Sequence, residues 1–222
     1  SGPGAGRLEA LALNTFYTRG MALAELAGKS CVIGKAMLYR ASTIARMGGV
    51  GALAPYLAED FMAGFGIRQL GYRVRISRMP IQQVIGTYSL AQYWSRHVRW
   101  GRIRKAQAPF AFFSEPMMQP VPLAVLGTAL WVPMSRQMGV GEGAVFSGLV
   151  AAGVQLGAFY LADLLLRRRW PTPADLVAWV FREGLAPILW AATAAGNEVE
   201  WRGRRLRVEL GGILRTVSGE NG

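Results

Sequence analysis

Three groups of residues in this chain have the types and spacing that group-transfer chemistry requires. Glu59 and Asp60 stand together where the glycine-rich stretch MGGVGALAPYLA gives way to a helical pattern running to about Gly71. A carboxylate in that place can take a proton from a substrate hydroxyl within hydrogen-bond reach, or it can serve as a helix cap and dipole partner. Arg96, Arg99 and Trp100 fall at i, i+3 and i+4 of a helix spanning 86–105, so they share one face. Fixed positive charge beside an indole suits a position along a membrane surface next to an anionic ligand. Cys31 and Gly34 lie in SCVIGKAMLYRAS. There the glycine would let backbone approach a ligand closely, or would pack beside a buried cysteine acting as a small hydrophobe.

The elements that must position these groups can be read from periodicity. Residues 1–28 are a glycine-rich lead followed by a helical pattern through Leu8, Leu11, Ala12 and Phe16, with nothing catalytic in it. The run from Lys29 predicts a short buried strand, the glycine at 34 and a second apolar run to Tyr39. Tyr72, Val74 and Ile76 alternate with Arg73, Arg75 and Arg78, the period of a half-buried strand with a basic outer face. In the 86–105 helix, Leu90, Trp94 and Val98 form an apolar stripe with Tyr93 beside it, and His97 reads as an interfacial side chain.

After Lys105 the character changes. Residues 117–134 are uncharged, 144–166 carry only Asp163, and 174–195 are apolar apart from Asp175, Arg182 and Glu183. The second of these runs is long enough to cross a bilayer. Arg167, Arg168 and Arg169 close it with the charge that marks a cytoplasmic end. Three full spans would place the tail, with Arg202, Arg204, Arg205 and Arg207, on the far side, against its charge. The expectation is therefore that either the third run or the proline-marked first one is re-entrant or interfacial.

Composition agrees with a membrane setting. Of 222 residues, 52% are hydrophobic, yet the net charge is +12. Lysine stands only at 29, 35 and 105, so 22 of the 25 basic residues are arginine. Such a balance points to anionic headgroups or phosphate-bearing substrates, and the uninterrupted apolar runs argue against a nucleic-acid binder. One cysteine and one histidine exclude an intrachain disulfide and a structural zinc site. No Walker motif, HExxH or Ser/His/Asp set occurs. The first twenty residues lack the pattern of a signal peptide and the chain begins SGPGAG without methionine, so it is expected to be the back part of a longer protein.

CVIGKAMLYR, then LAEDFMAG, then SLAQYWSRHVRW, then apolar runs and DLVAWVFREGLAPILWAATAAGNEVEWRGRRLRV, together resemble the ceramide glucosyltransferases, membrane-bound enzymes of glycosyltransferase family 2. The resemblance covers nearly the whole chain from Cys31, and it is the order of the motifs that is specific. Arg96 in the first slot of the Arg-x-x-Arg-Trp motif is similar to the ceramide enzyme, where many polysaccharide synthases have Gln. Hopanoid glycosyltransferases look similar too. A basic membrane protein with no enzymatic role is the reading from a different class.

The resemblance implies an α/β fold plus transmembrane helices: the second, acceptor-side half of a GT-A-type domain, an amphipathic interfacial helix, then two to three membrane helices. The divisions would be 1–85, 86–112, 113–196 and a basic tail 197–222. It implies an integral membrane protein with its catalytic part cytosolic, at the inner membrane if bacterial. The implied reaction is inverting transfer of glucose from UDP-glucose to the hydroxyl of ceramide or a similar lipid, giving a β-glucosyl lipid. Asp60 would be the base, Glu59 would orient the loop or acceptor, and Arg96 and Arg99 would hold phosphate oxygens. Trp100 would be an apolar wall, and Cys31 and Gly34 would line the pocket. A divalent cofactor, Mn or Mg, is implied with no ligands in this chain, since the only acids before Cys31 are Glu9 and Glu25. Lacking the donor half, this chain alone is expected to be inactive.

Overall fold

The computed structural model describes residues 4–216 apart from 31, 78, 80, 88, 141, 142, 168, 169 and 202. It is mostly helical. The chain opens with α1 (Ala5–Ala12), a π-helical turn (Leu13–Tyr17) and α2 (Thr18–Leu26), one after another without a break. Leu8, Leu11 and Ala12 recur at helical spacing and are buried. Wide turns of this kind are rare and concentrate at functional places; here the turn carries Tyr17, whose role is described below.

Two short helices follow, α3 (Ala41–Arg46) and α4 (Glu59–Gln69). The α/β character expected of this stretch is not found, because neither 32–40 nor the described residues of 72–87 form a strand. Alternation specifies extended backbone, but a strand also needs a neighbour for its amides and carbonyls. Here side chains take that part. The Ile76 amide donates to the Glu25 carboxylate at 3.1 Å, the Gly34 amide donates to Asp60, and the Ser30 carbonyl accepts from the Arg68 guanidinium.

Helix α5 (Leu90–Gln107) begins with a capping box, the Ser89 hydroxyl accepting from the Gln92 amide while the Gln92 side chain accepts from the Ser89 amide. Pro109 starts α6 (Pro109–Ser114); after a 3-10 turn (Glu115–Met118), α7 (Pro120–Gln137) and α8 (Gly143–Arg167) pack as a hairpin, the Trp131 indole donating to the Ser147 hydroxyl at 2.9 Å. Helix α9 (Pro173–Ala194) has its own capping box, from Thr172 and Asp175.

Among the described residues, Gly143–Leu165 and Pro173–Ala194 are long and apolar enough to cross a membrane. The segment 109–118 followed by α7, bent by 70°, qualifies only if the two count as one span. Of the triple arginine expected to close α8, Arg168 and Arg169 lie outside the described residues.

The sheet lies in the tail, where only basic, soluble character was expected. Strands β1 (Glu198–Trp201), β2 (Arg204–Val208) and β3 (Leu214–Thr216) form an antiparallel meander with Val199 opposite Leu206 and Val208 opposite Leu214. Gly203 at φ 75° makes the first turn, a conformation that side chains resist. The sheet stands on α5 and reaches α4's approach loop through a bridge between Tyr56 and Ile213.

Candidate functional site

The acid pair lies at the first turn of α4, and its two members face differently. Glu59 is exposed and Asp60 half-buried. Asp60 Oδ2 accepts from the Gly34 amide and Oδ1 from the Phe61 amide, both at 2.7 Å. Glycine at 34 permits a tight approach, since a Cβ there would stand 3.1 Å from Asp60 Oδ2. The close approach that this glycine permits is to Asp60. Beside it, Val32 packs on Gly64, where an added Cβ would come within 2.7 Å of Val32 Cγ2. Ser30 and residues 32–34 thus form a strap across α4. Cys31 lies outside the described residues.

The strap joins the acid to α5. Lys35, the residue after Gly34, places its ammonium 5.9 Å from the centre of the Trp100 ring. Burial lowers the pKa of Lys35, the Arg96 charge lowers it further, and Glu9 opposes both. The Arg96 guanidinium lies 4.6 Å from the same ring centre, a cation–π contact between successive turns. Arg96 also pairs with the Glu9 carboxylate at 3.2 Å. Arg99 takes a different aromatic, standing 4.7 Å from the ring centre of Trp201 on β1. Burial, then the Arg96 charge, lowers the pKa of Arg99.

Beneath this face the apolar stripe differs from expectation. Leu90 is exposed and Trp94 half-buried, while Tyr93, His97, Val98 and Gly101 are buried. The inward line is Tyr93, His97 and Gly101, because α1 and α9 pack there. His97 is therefore not an interfacial side chain but the centre of a buried polar chain, and Glu9, in a segment read as holding nothing catalytic, is its partner. Glu9 Oε2 lies 2.8 Å from His97 Nε2, and the Tyr17 hydroxyl 3.0 Å from Nδ1.

Burial by itself would raise the Glu9 pKa. The interaction with His97 and the charges of Arg96 and Lys35 outweigh it, and Glu9 is held below its ordinary value. Burial also lowers His97, against the pull of Glu9. The consistent assignment is a neutral imidazole whose Nε2–H donates to Glu9 and whose Nδ1 accepts the Tyr17 proton. The Tyr17 oxygen lies 3.5 Å from Arg104, whose guanidinium binds Glu115 at 2.6 and 3.3 Å. Burial raises the Tyr17 pKa, which keeps the hydroxyl protonated. A continuous chain from Glu115 through Arg104, Tyr17, His97 and Glu9 to Arg96 holds the basic-aromatic face from below.

The sequence signals for this chain were a lone glutamate on the buried face of α1 and a lone histidine one turn before Gly101. Among the described residues, no group of three His, Cys, Asp or Glu side chains could hold a metal ion.

A family model described as glycosyl transferase family 21 matches residues 3–214. Ceramide glucosyltransferase 1 of Caenorhabditis elegans is 22% identical to this chain over 215 residues, which is 94% of this chain and 44% of the relative. Ceramide glucosyltransferase 3 of the same organism is 21% identical over 203 residues, 83% of this chain and 40% of the relative. The chain thus spans less than half the length of these curated relatives. No solved structure matches it.

Proposed function

The chain belongs to glycosyl transferase family 21, and on that premise we propose that it forms the acceptor side of an inverting glucosyltransferase acting on a membrane lipid. The donor is UDP-glucose, the acceptor is ceramide or a similar lipid, and the products are a β-glucosyl lipid and UDP. Asp60 accepts the proton of the lipid hydroxyl as its oxygen bonds to the anomeric carbon. The bond from that carbon to the diphosphate oxygen breaks on the opposite face, its electron pair leaving with UDP. Arg96 and Arg99 meet the negative charge that grows on the diphosphate. Trp100, with the Lys35 and Arg96 cations beside its ring, walls the place where lipid headgroup and sugar meet. Glu59, exposed next to the base, orients the acceptor from the rim.

The observation that carries this reading is the strap. It binds Asp60 through Gly34 and reaches the Trp100 ring through Lys35, so two motifs 36 positions apart, at 60 and 96, are served by one short segment. Preorganisation of this kind spares reorganisation during the reaction.

Product identification tests it. Membranes containing this chain joined to its donor-binding half, as the full-length enzyme, receive labelled UDP-glucose and, in separate assays, ceramide, a hopanoid alcohol or no lipid, and the extract is resolved by lipid chromatography and anomeric analysis. A β-linked glucosylceramide is expected. Label in the hopanoid or in polymer would move the protein to another acceptor class, and no transfer with any acceptor would remove the enzymatic reading.

A further inference from the structure

Of the three apolar helices that follow α5, α7 and α8 pack along one another, while the third, α9, meets them locally, its Trp179 indole donating to Asp163 at 2.8 Å and lying edge-on to Tyr160 of α8, and takes most of its neighbours from α5 and α1. α9 packs along α5 and α1 from end to end. At its start, Thr172 and Asp175 bind the Arg7 guanidinium on α1, at 3.0 and 2.9 Å. In its middle, Ala178, Leu185 and Leu189 lie against Ala5, Leu8 and Tyr93. Near its end, Thr193 abuts Gly101, where an added Cβ would come within 2.6 Å. The Lys105 ammonium then donates to the carbonyls of Thr193, Ala194 and Gly196 at 2.9, 2.9 and 2.5 Å.

A helix flanked over its whole length by another shares its depth. α5 carries Arg96, Arg99, Arg102, Arg104 and Lys105, and each cation at a bilayer centre costs about 2.5 kcal/mol or more. α5 therefore does not cross, and neither does what lies along it. The faces of α9 agree. Asp175, Arg182, Glu183 and Thr193 point inward and are buried, whereas Leu176, Val177, Val180, Phe181 and Ile188 are exposed. That arrangement is the reverse of a water-facing surface helix.

The chain after α9 returns to the same layer. Arg102 binds the Glu198 carbonyl, Arg99 stacks on Trp201, and Ile213 bridges to Tyr56, three residues before Glu59.

We propose that α9 lies in the plane of the membrane–water interface and does not cross the bilayer. It seats Leu176, Val177, Val180, Phe181 and Ile188 in the acyl region of one leaflet. The α7–α8 hairpin makes the crossing, and the tail sheet remains on the same side of the membrane as Asp60. The partner of this exposed face is a lipid leaflet, continuous with the lipid around the hairpin. A bound in-plane helix sinks its apolar face about 5 to 10 Å past the headgroups.

The test is depth measured by spin labels in lipid vesicles. Cys31→Ser is combined in turn with Leu176→Cys, Val180→Cys, Phe181→Cys and Ile188→Cys, and accessibility to oxygen and to a nickel chelate is compared. An in-plane helix gives four similar, shallow depths. A crossing helix rises about 1.5 Å per residue, so positions 176 and 188 would differ by up to about 18 Å, and that gradient overturns the proposal. Phe146→Cys, Leu149→Cys and Leu161→Cys on α8 supply the gradient of a crossing helix for comparison. A second measurement uses the unsubstituted chain, with proteolysis of sealed vesicles of either orientation followed by mass spectrometry. Peptides from 48–58 and from 198–216 are expected from the same vesicles. Release of one set from each orientation overturns the proposal independently.

Discussion

The Gly34 amide donates to Asp60 Oδ2 at 2.7 Å, and the space between the two residues has no room for a methyl group, whose carbon would stand 3.1 Å from that oxygen. Gly34→Ala must therefore move the strap or the carboxylate by a few tenths of an ångström. Misplacement by 1 Å costs about a hundredfold in rate, so in the full-length enzyme this smaller shift should lower glucosyl-lipid formation by about tenfold. The thermal midpoint in detergent should hardly change, because the strap is a surface segment. Unaltered turnover would mean that the strap does not set the position of Asp60.

His97 is the only histidine in the chain, so its titration can be followed directly by NMR after labelling imidazole carbons. Burial leads the shift, placing the expected midpoint below the ordinary 6.5, and Glu9 pulls the other way. Glu9→Gln removes that pull, and the midpoint should fall further. The sign for stability follows from proton uptake. As pH falls below 6.5 the unfolded chain binds a proton that the folded chain refuses, so stability declines until the folded value is reached. Glu9, also lowered, adds its own loss in the acid range below 4.5. A His97 midpoint above 6.5 would make imidazolium the native form and reverse the first of these trends.

These two residues also show where sequence reading stopped. Asp60, Gly34, Arg96 and Trp100 were legible because local spacing places them on a helix start, a tight approach and one helix face. Glu9 and His97 are 88 positions apart, and no periodicity connects them. The available hint was energetic: a carboxylate on the buried face of α1 must have a partner, as must Arg182 and Glu183, which pair with one another inside α9. The expected strands failed for the complementary reason. Alternation at 72–76 fixes extended backbone, while the partner that makes a strand depends on distant chain, and here the carboxylate of Glu25 took its place. In the tail, Val199, Leu206 and Val208 are too few in a run of arginines to stand out as strand patterning.

Gly101 of α5 faces Thr193 of α9, and an added Cβ would lie 2.6 Å from Thr193 Cγ2 and 2.8 Å from its hydroxyl. Gly101→Val should separate the helices and lower stability by about 1 to 3 kcal/mol, the usual cost of overpacking. Thr193→Ala in the same chain removes the two nearest atoms and should restore part of the loss. Thermal unfolding of the four variants of the cycle in one detergent measures the coupling. Additive effects would show that the two residues are not in contact.

The last prediction separates the two neighbouring acids. Asp60 holds two amides with its two oxygens at the first turn of α4, whereas Glu59 is exposed. Successive helix residues project about 100° apart, so the two carboxylates do not serve the same atom. If Asp60 only ties down amides near a helix start, Asp60→Asn keeps one oxygen acceptor of the same size. The cost would then be stability, about 1 kcal/mol as for lost caps, with turnover little changed. If Asp60 is the base, the same substitution removes the lone pair that accepts the lipid proton, and turnover should fall about a hundredfold or more even at temperatures where the variant is fully folded. Glu59→Gln should remain within a few-fold of the parent, since an exposed side chain that orients the acceptor contributes through affinity. The comparison needs product formation by the full-length parent, Asp60→Asn and Glu59→Gln enzymes in matched membranes, with lipid affinity and thermal midpoint measured alongside. Near-parental turnover by Asp60→Asn would leave Asp60 as the anchor of the strap and would require the base to be sought in another side chain.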